Sequence, residues 1–328
     1  MRAILCTEPK DDLSTTGLAD VPVPEPGPGE VRVRVMAASL NPVDWKLCSG
    51  LAPWWREPHV VGLDASGVID KLGDGVTGWK VGDRVVWHGN LRRQGVFADY
   101  ATTVAHVLIP LPETVSWEAA AALPCAGLTA YQALVRKIRL QAGQTIVIQG
   151  ATGGVGGFAV QIAHRIGARV IALARPEKAD RARSLGADVV LDYRAPDLAA
   201  LVRAANGGLG ADAMLEVANP GDARKSLSLL EYNGHLACID PLPDLSRTPA
   251  YTYAASIHEV ALGGAYGAGD LRTQRDFAVM GAALVSMVAD GTLDPMIEAL
   301  ITLDQVPGWL ARLRNRAFDG KAVVRIGA

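Results

Sequence analysis

The chain has 328 residues, 49% of them hydrophobic and 20% charged. That is more than one ordinary core holds and too apolar for a disordered chain, so one large or two medium globular domains are expected. Lys and Arg total 32 against 34 Asp and Glu, a formal net charge of -2 that excludes the basic footprint of a nucleic-acid binder.

The segment from Met1 to Lys10 meets charges before any signal-peptide core can form, and no apolar run approaches the roughly 18 residues that span a bilayer. A soluble cytoplasmic protein is expected. After the turn-rich Pro22-Val23-Pro24-Glu25-Pro26-Gly27-Pro28-Gly29, Val31, Val33 and Val35 alternate with Arg32 and Arg34, the period of a half-buried strand. Short strands are predicted over 60–61, 65–72, 84–87, 97–103 and 107–110. Many short strands at even turn spacing suggest a small barrel or sandwich. Beyond Ser116 the pattern changes. A helix over 117–123 leads into strands at 145–149, 169–174, 188–191, 213–217, 235–239 and 259–263, with helices between them at 155–166, 177–185, 197–205 and 222–231. Gly167, Gly186, Gly207 and Gly234 stand where left-handed helix caps belong. Alternating β and α with apolar strands implies a parallel sheet covered on both faces. A long helix over 271–290, a segment 296–302, a helix over 306–314 and a strand over 322–326 close the chain.

Most information sits where Thr145-Ile146-Val147-Ile148-Gln149 runs into Gly150-Ala151-Thr152-Gly153-Gly154-Val155-Gly156-Gly157 and an apolar helix. Strand, glycine-rich turn and helix in that order are the context that makes a G-x-G-x-x-G pattern meaningful. Ala151 takes the place of the first glycine. Gly153 lets the backbone approach a pyrophosphate, Gly156 lets the helix pack on the strand, and the helix N-terminus offers unpaired N–H groups to the anion. The second strand ends Ile171-Ala172-Leu173-Ala174-Arg175 without the acid that would hold a ribose 2′-hydroxyl. Arg175 and Lys178 suit a 2′-phosphate instead, which favours NADPH over NADH.

Other chemistries find little support. Cys6, Cys48, Cys125 and Cys238 form no C-x-x-C pair, which speaks against a disulfide framework and a structural zinc lobe. His59, Asp64, His88, His106 and Cys125 are candidate ligands for a catalytic zinc, but none has a recognised ligand spacing. The chain lacks a G-x-S-x-G elbow, and its glycine loop lacks the Lys-Ser/Thr ending of a P-loop.

Taken together, these segments resemble the zinc-independent quinone oxidoreductase branch of the medium-chain dehydrogenase/reductase superfamily. The resemblance covers essentially the whole chain. It is carried by Asn41-Pro42-Val43-Asp44-Trp45-Lys46, Val61-Gly62-Leu63-Asp64-Ala65-Ser66-Gly67-Val68, Val81-Gly82-Asp83-Arg84-Val85, Gly95-Val96-Phe97-Ala98-Asp99-Tyr100 and Gly127-Leu128-Thr129-Ala130-Tyr131. The cofactor loop, Ser184-Leu185-Gly186-Ala187-Asp188 and Gly320-Lys321-Ala322-Val323 complete the set. It implies an α/β protein: a GroES-like β-barrel catalytic domain over 1–123 and 267–328, with a Rossmann doubly wound NADP-binding domain over 124–266. Zinc-containing relatives carry Cys where this chain has Asn41 and His where it has Leu63, so Cys125 is left alone and no metal is expected.

For the site, the resemblance implies a cleft between the domains, with Asn41 and Thr129 near the nicotinamide and Asp44 a recurrent acid close by. Ala151, Thr152, Gly153, Gly154 and Val155 would hold the pyrophosphate. Arg175, Lys178 and Tyr193 would surround the adenosine ribose and its phosphate, and Lys321 would lie near the cofactor. The Asn41 amide is a candidate hydrogen-bond donor to the negative oxygen that forms on reduction. Trp54, Trp55, Trp87, His88 and Cys125 are candidates for the substrate pocket, where the tryptophans would either stack on a flat ring or pack the barrel rim. The expected activity is NADPH-dependent reduction of quinones or conjugated carbonyls. Reduction of the C=C bond of enals, enones or enoyl thioesters is the alternative, and a non-catalytic NADPH-binding protein is the reading from another class. A homodimer through the edge strand of the cofactor sheet is also implied.

Overall fold

The computed structural model describes residues 1–51, 54–55, 58–217, 223–239 and 242–327. The chain divides into two compact units, Met1–Leu128 with Gly263–Gly291 and Pro295–Ala328, and Thr129–Leu262 with Thr292–Asp294.

The first unit begins with β1 (Arg2–Cys6), β2 (Thr16–Asp20) and β3 (Glu30–Ser39). As the alternation predicts, Val31, Val33 and Val35 are buried while Arg34 is exposed. A short helix α1 (Pro42–Lys46) follows, then β4 (His59–Val60), β5 (Asp64–Leu72), β6 (Arg84–His88), β7 (Tyr100–Val104) and β8 (Ile109–Pro110). The predicted strand over 97–103 is thus shifted. Phe97 is fully buried in the core, and Ala98 makes only an isolated bridge to Ala3. Ser116 caps α2 (Trp117–Ala121) by accepting the Ala119 N–H, and α3 (Pro124–Tyr131) comes next.

The second unit is built on β9 (Thr145–Gln149), α4 (Gly154–Ile166), β10 (Arg169–Leu173), α5 (Ala179–Ser184), β11 (Val189–Leu191), α6 (Leu198–Ala205), β12 (Ala211–Glu216), α7 (Ala223–Leu227), β13 (Leu230–Cys238) and β14 (Ser256–Glu259). Its six strands are all parallel in the order β11-β10-β9-β12-β13-β14. Numbered from the first strand of this unit, that is the doubly wound 3-2-1-4-5-6 order, whose switch point lies between β9 and its neighbours β10 and β12.

Two predicted elements differ. The helix expected over 222–231 stops at Leu227, because Leu230 pairs with Ala211 and the chain has already joined the sheet; Asp222 lies outside the described residues. The edge strand expected over 259–263 is Ser256–Glu259. Val260 gives the last hydrogen bond to β13, on the Cys238 carbonyl, Leu262 is buried beyond the strand, and Gly263 caps the next helix. Apolar composition on its own imitated a strand there.

The chain returns to the first unit through α8 (Gly264–Gly267) and α9 (Leu271–Ala289), whose N-cap Asp270 accepts the Arg272 and Thr273 amides. Then come β15 (Ile297–Thr302), α10 (Val306–Arg314) and β16 (Lys321–Arg325). The seven-stranded sheet runs β15-β16-β3-β5-β6-β8, with β7 also on β3, and a three-stranded sheet runs β2-β1-β4. Register fixes what matters for the site. Ser39 pairs with Asp64 and Val323, and Asp64 pairs with His88. The C-terminal ends of β3 and β6 and the N-terminal ends of β5 and β16 therefore meet at one end of the sheet.

Candidate active site

At that sheet end five polar side chains from four strand ends and α1 converge, and all are essentially sealed from solvent: Asn41, Asp44, Asp64, His88 and Lys321. Asp64 is the hub. Its Oδ1 accepts from His88 Nδ1 at 2.7 Å. Its Oδ2 accepts from Asn41 Nδ2 and from the Cys125 amide, both at 2.8 Å. Lys321 Nζ donates to Asn41 Oδ1 at 2.6 Å and to the Leu40 carbonyl at 3.1 Å. A buried carboxylate is tolerable here because three donors satisfy it and a cation stands one side chain away. Tyr266 on α8 donates its hydroxyl to the His88 carbonyl at 2.7 Å, which ties β6 to the returning helix.

This wiring revises several expectations. Asn41 spends its amide protons on Asp64 and on the Ser39 carbonyl, so it is an orienting group rather than a donor to a substrate oxygen. Asp44 is the N3 residue of α1 and accepts the Asn41 N–H at 2.7 Å, with Pro42 in the first turn. Its Oδ1 has no hydrogen-bond partner, and burial, with Asp64 nearby, pushes its carboxyl well above the usual carboxylate range. Asp44 therefore shapes the loop. Lys321 is turned inward onto Asn41.

The candidate pocket residues separate. Successive strand residues face opposite ways. His88 points to Asp64, while Trp87, fully buried, lines a different cavity with Thr103, Tyr266 and Gln274. Trp55 stacks on His59 with centroids 3.9 Å apart and donates to the Leu91 carbonyl, so it packs the barrel rim. Trp54 is exposed, with the Arg92 guanidinium 5.1 Å from its ring. Cys125 joins the cluster: its Sγ, a His88 ring nitrogen and an Asp64 oxygen all lie within 4.8 Å of one another. Burial, reinforced by Asp64, pushes its thiol up. These three residues come from β5, β6 and α3, and no local spacing rule joins them. They are also the donor set to test against a metal. Asp64 and His88 hydrogen-bond each other instead of diverging around a common centre, and the other Asp64 oxygen is filled by two N–H donors. A cation on the Asp64 carboxylate would compete with donors already seated on both of its oxygens.

In the second unit the glycine turn joins β9 to α4. Gly150 carries φ +62°, so it, not Ala151, makes the left-handed turn, and Ala151 is buried beneath it. A Cβ on Gly156 would lie 2.2 Å from the Gly150 carbonyl oxygen, the close helix-to-strand contact that position demands. Gly153 is different. A Cβ there meets only the Gly150 oxygen, at 3.4 Å, so the protein itself leaves room above it. That open backbone at the start of a 13-residue helix suits a pyrophosphate.

Arg175 follows β10 and Tyr193 follows β11, and the pairing of Leu173 with Gln149 and Leu191 sets Arg175 on the strand next to the glycine turn and Tyr193 one strand further out. Arg175 pairs with Glu177 at 3.3 Å, both partly exposed, and Tyr193 is exposed next to the Asp192–Arg194 pair. Thr129, near the end of α3, is 6% exposed. The sequence reading passed over Glu216, a nearly fully buried carboxylate ending β12 that accepts from Ser226. An acid closing an apolar strand was the signal available.

A GroES-like β unit joined to a doubly wound dinucleotide unit defines an oxidoreductase of the medium-chain dehydrogenase/reductase class, and comparisons agree. The family model described as alcohol dehydrogenase GroES-like domain matches residues 27–113, and that described as zinc-binding dehydrogenase matches residues 154–270. The chain is 30% identical over 294 residues to a quinone oxidoreductase of Homo sapiens, spanning 88% of this chain and 86% of that one. It is 37% identical over 238 residues to a chloroplast envelope quinone oxidoreductase homolog of Arabidopsis thaliana, spanning 70% and 72%. Among solved structures, a mycobacterial protein complexed with NADPH superposes with a TM-score of 0.88 at 29% identity, over 99% of this chain and 100% of that one. An NAD-dependent alcohol dehydrogenase gives 0.85 at 30% identity, over the full length of both chains. The chain belongs to the medium-chain dehydrogenase/reductase superfamily, among its quinone oxidoreductase-like members. Among the described residues no helix is long and apolar enough to cross a membrane.

Proposed function

We propose that the protein is an NADPH-dependent reductase of quinones or conjugated carbonyls that works without a metal, as a homodimer. The observation that carries the cofactor choice is the end of β10. There no acid ends the strand adjoining the glycine turn, and Arg175 and Lys178 follow it, with Glu177 between them paired to Arg175. When bound, NADPH supplies the hydride. The turn from Ala151 to Val155 would hold its pyrophosphate on the open backbone at Gly153, and Arg175, Lys178 and Tyr193 would engage the 2′-phosphate and ribose.

A quinone or enone is already electrophilic, so the protein's work is to orient the acceptor, keep water out and manage the charge that appears on oxygen. The polar cluster of the first unit is preorganised for such a task. Asn41, Asp44, Asp64, His88 and Lys321 are buried and each is held by at least one hydrogen bond.

The test follows absorbance of NADPH and NADH against 1,4-benzoquinone, 9,10-phenanthrenequinone, crotonaldehyde, 2-hexenal and crotonyl-CoA. Faster oxidation of NADPH with the quinones is expected. Preference for NADH would overturn the Arg175 reading, and turnover of the alkenals alone would replace quinone reduction by C=C reduction. Tight NADPH binding with no turnover would mark a binding protein.

A further inference from the structure

We propose that His88, oriented by Asp64, is the acid that protonates the reduced acceptor. The proposal rests on the reductase reading above and adds the step that reading leaves open. Hydride brings two electrons to the acceptor and leaves one of its oxygens negative. That oxygen takes the proton from Nε2 of the His88 imidazolium: the N–H bond breaks, an O–H bond forms, and the bonding pair stays on Nε2. His88 is then neutral with its remaining proton on Nδ1, facing Asp64, and water restores the Nε2 proton.

Geometry selects His88 by what surrounds it. Asp64 Oδ1, 2.7 Å from Nδ1, can only accept, so it fixes the ring orientation and keeps the Nδ1 proton in place in both charge states. Asp64 cannot swing away, since the Asn41 amide and the Cys125 N–H pin its other oxygen. Asn41 is pinned in turn by Lys321. The Tyr266 hydroxyl anchors the His88 backbone, and Phe277 on α9 meets the ring edge-on at 6.3 Å. One chain of contacts, Lys321 to Asn41 to Asp64 to His88, therefore ends on a single imidazole nitrogen.

The other acidic groups facing the cluster are poor donors. Asp44, on α1, is buried against its own helix start. The Cys125 thiol on α3 and the Tyr266 hydroxyl on α8 are both driven upward by burial, with Asp64 adding to each. Lys321 on β16 is turned inward. His88 is the member of the set whose ring carries a second nitrogen beyond the one held by Asp64.

The experiment compares wild type, His88→Gln and Asp64→Asn. With NADPH and the best quinone, kcat of wild type should fall at alkaline pH. His88→Gln should lower kcat by about 100-fold and remove that limb, while the Kd for NADPH stays within about twofold. Independently of turnover, imidazole nitrogen NMR of the free protein should show a His88 signal with the Nδ1-protonated tautomer at high pH. That tautomer preference should be lost in Asp64→Asn; if this variant does not fold, His88→Gln carries the kinetic test alone. Wild-type kcat and pH profile in His88→Gln would overturn the proposal, as would a stoichiometric metal in the purified protein that His88→Gln releases. Absence of turnover with every acceptor would overturn the reductase reading and the acid with it. Turnover that ignores His88 would overturn the acid alone.

Discussion

The two glycines of the cofactor turn should respond to the same methyl group in opposite ways. In Gly156→Ala the new Cβ would lie 2.2 Å from the Gly150 oxygen, 2.6 Å from its carbonyl carbon and 3.0 Å from the Gln149 oxygen. All three are backbone atoms, so α4 must move off β9. Overpacking of this kind costs about 1–3 kcal/mol, and a backbone clash belongs at the upper end, which lowers Tm by roughly 4 °C in a chain of this size. In Gly153→Ala the Cβ meets only one atom, at 3.4 Å, and φ of -80° is open to alanine. Tm should stay within about 2 °C of wild type. Yet the methyl group would occupy the space where the pyrophosphate meets the helix start. Losing one or two charge-assisted backbone contacts of about 1.5–3 kcal/mol weakens NADPH binding by about 10- to 100-fold. Thermal unfolding by circular dichroism and NADPH titration by calorimetry separate the two effects. Wild-type affinity in Gly153→Ala, or wild-type Tm in Gly156→Ala, would refute the assignment of the turn.

Arg175→Ala should reduce NADPH affinity by about tenfold and leave NADH affinity unchanged, measured by cofactor titration; an equal loss for both would show that Arg175 does not read the phosphate. His59, buried against Trp55 with Nε2 donating to the Arg93 carbonyl, has its pKa pulled down to about 4 by burial. A depressed histidine stabilises the fold above its unfolded pKa, and that contribution is lost as pH falls from about 6.5 towards 4, about 3 kcal/mol in all. Urea unfolding at pH 7 and pH 4.5 should show the drop in wild type and a smaller one in His59→Gln. Asp44 has the opposite sign. Its raised pKa favours the folded state at low pH, and stability falls as pH rises above the unfolded value near 4, at up to about 1.4 kcal/mol per pH unit. Asp44→Asn should flatten that slope in the same unfolding series.

Local signals carried the cofactor unit. The run from Thr145 to Gly157 is contiguous, and each of its demands is set by atoms within a few residues: a buried strand, a left-handed Gly150, and a Gly156 facing the backbone just before it. The alternation of Val31, Val33 and Val35 marked β3 for the same reason. Where local signals competed with packing they failed. Val260 to Leu262 read as strand because it is apolar, and the segment from Asp222 to Glu231 read as helix although Leu230 was already paired in the sheet.

The polar cluster lay beyond that reach. Asn41, Asp64, His88, Cys125 and Lys321 were all singled out in the sequence, but as separate candidates with separate uses. Their common role depends on sheet register, which places Ser39 opposite Asp64 and Val323, and Asp64 opposite His88, over gaps from 24 to more than 250 residues. Register also decided that Trp87 and His88, neighbours in the chain, face different surroundings, Trp87 a cavity and His88 the Asp64 carboxylate. The family, the two-unit plan and the glycine turn are legible from residue order, because they are written in short-range spacing. That Asn41 and Lys321 bond each other and Asp64 holds His88 follows from the fold, because hydrogen-bond partners are assigned by which strand ends meet.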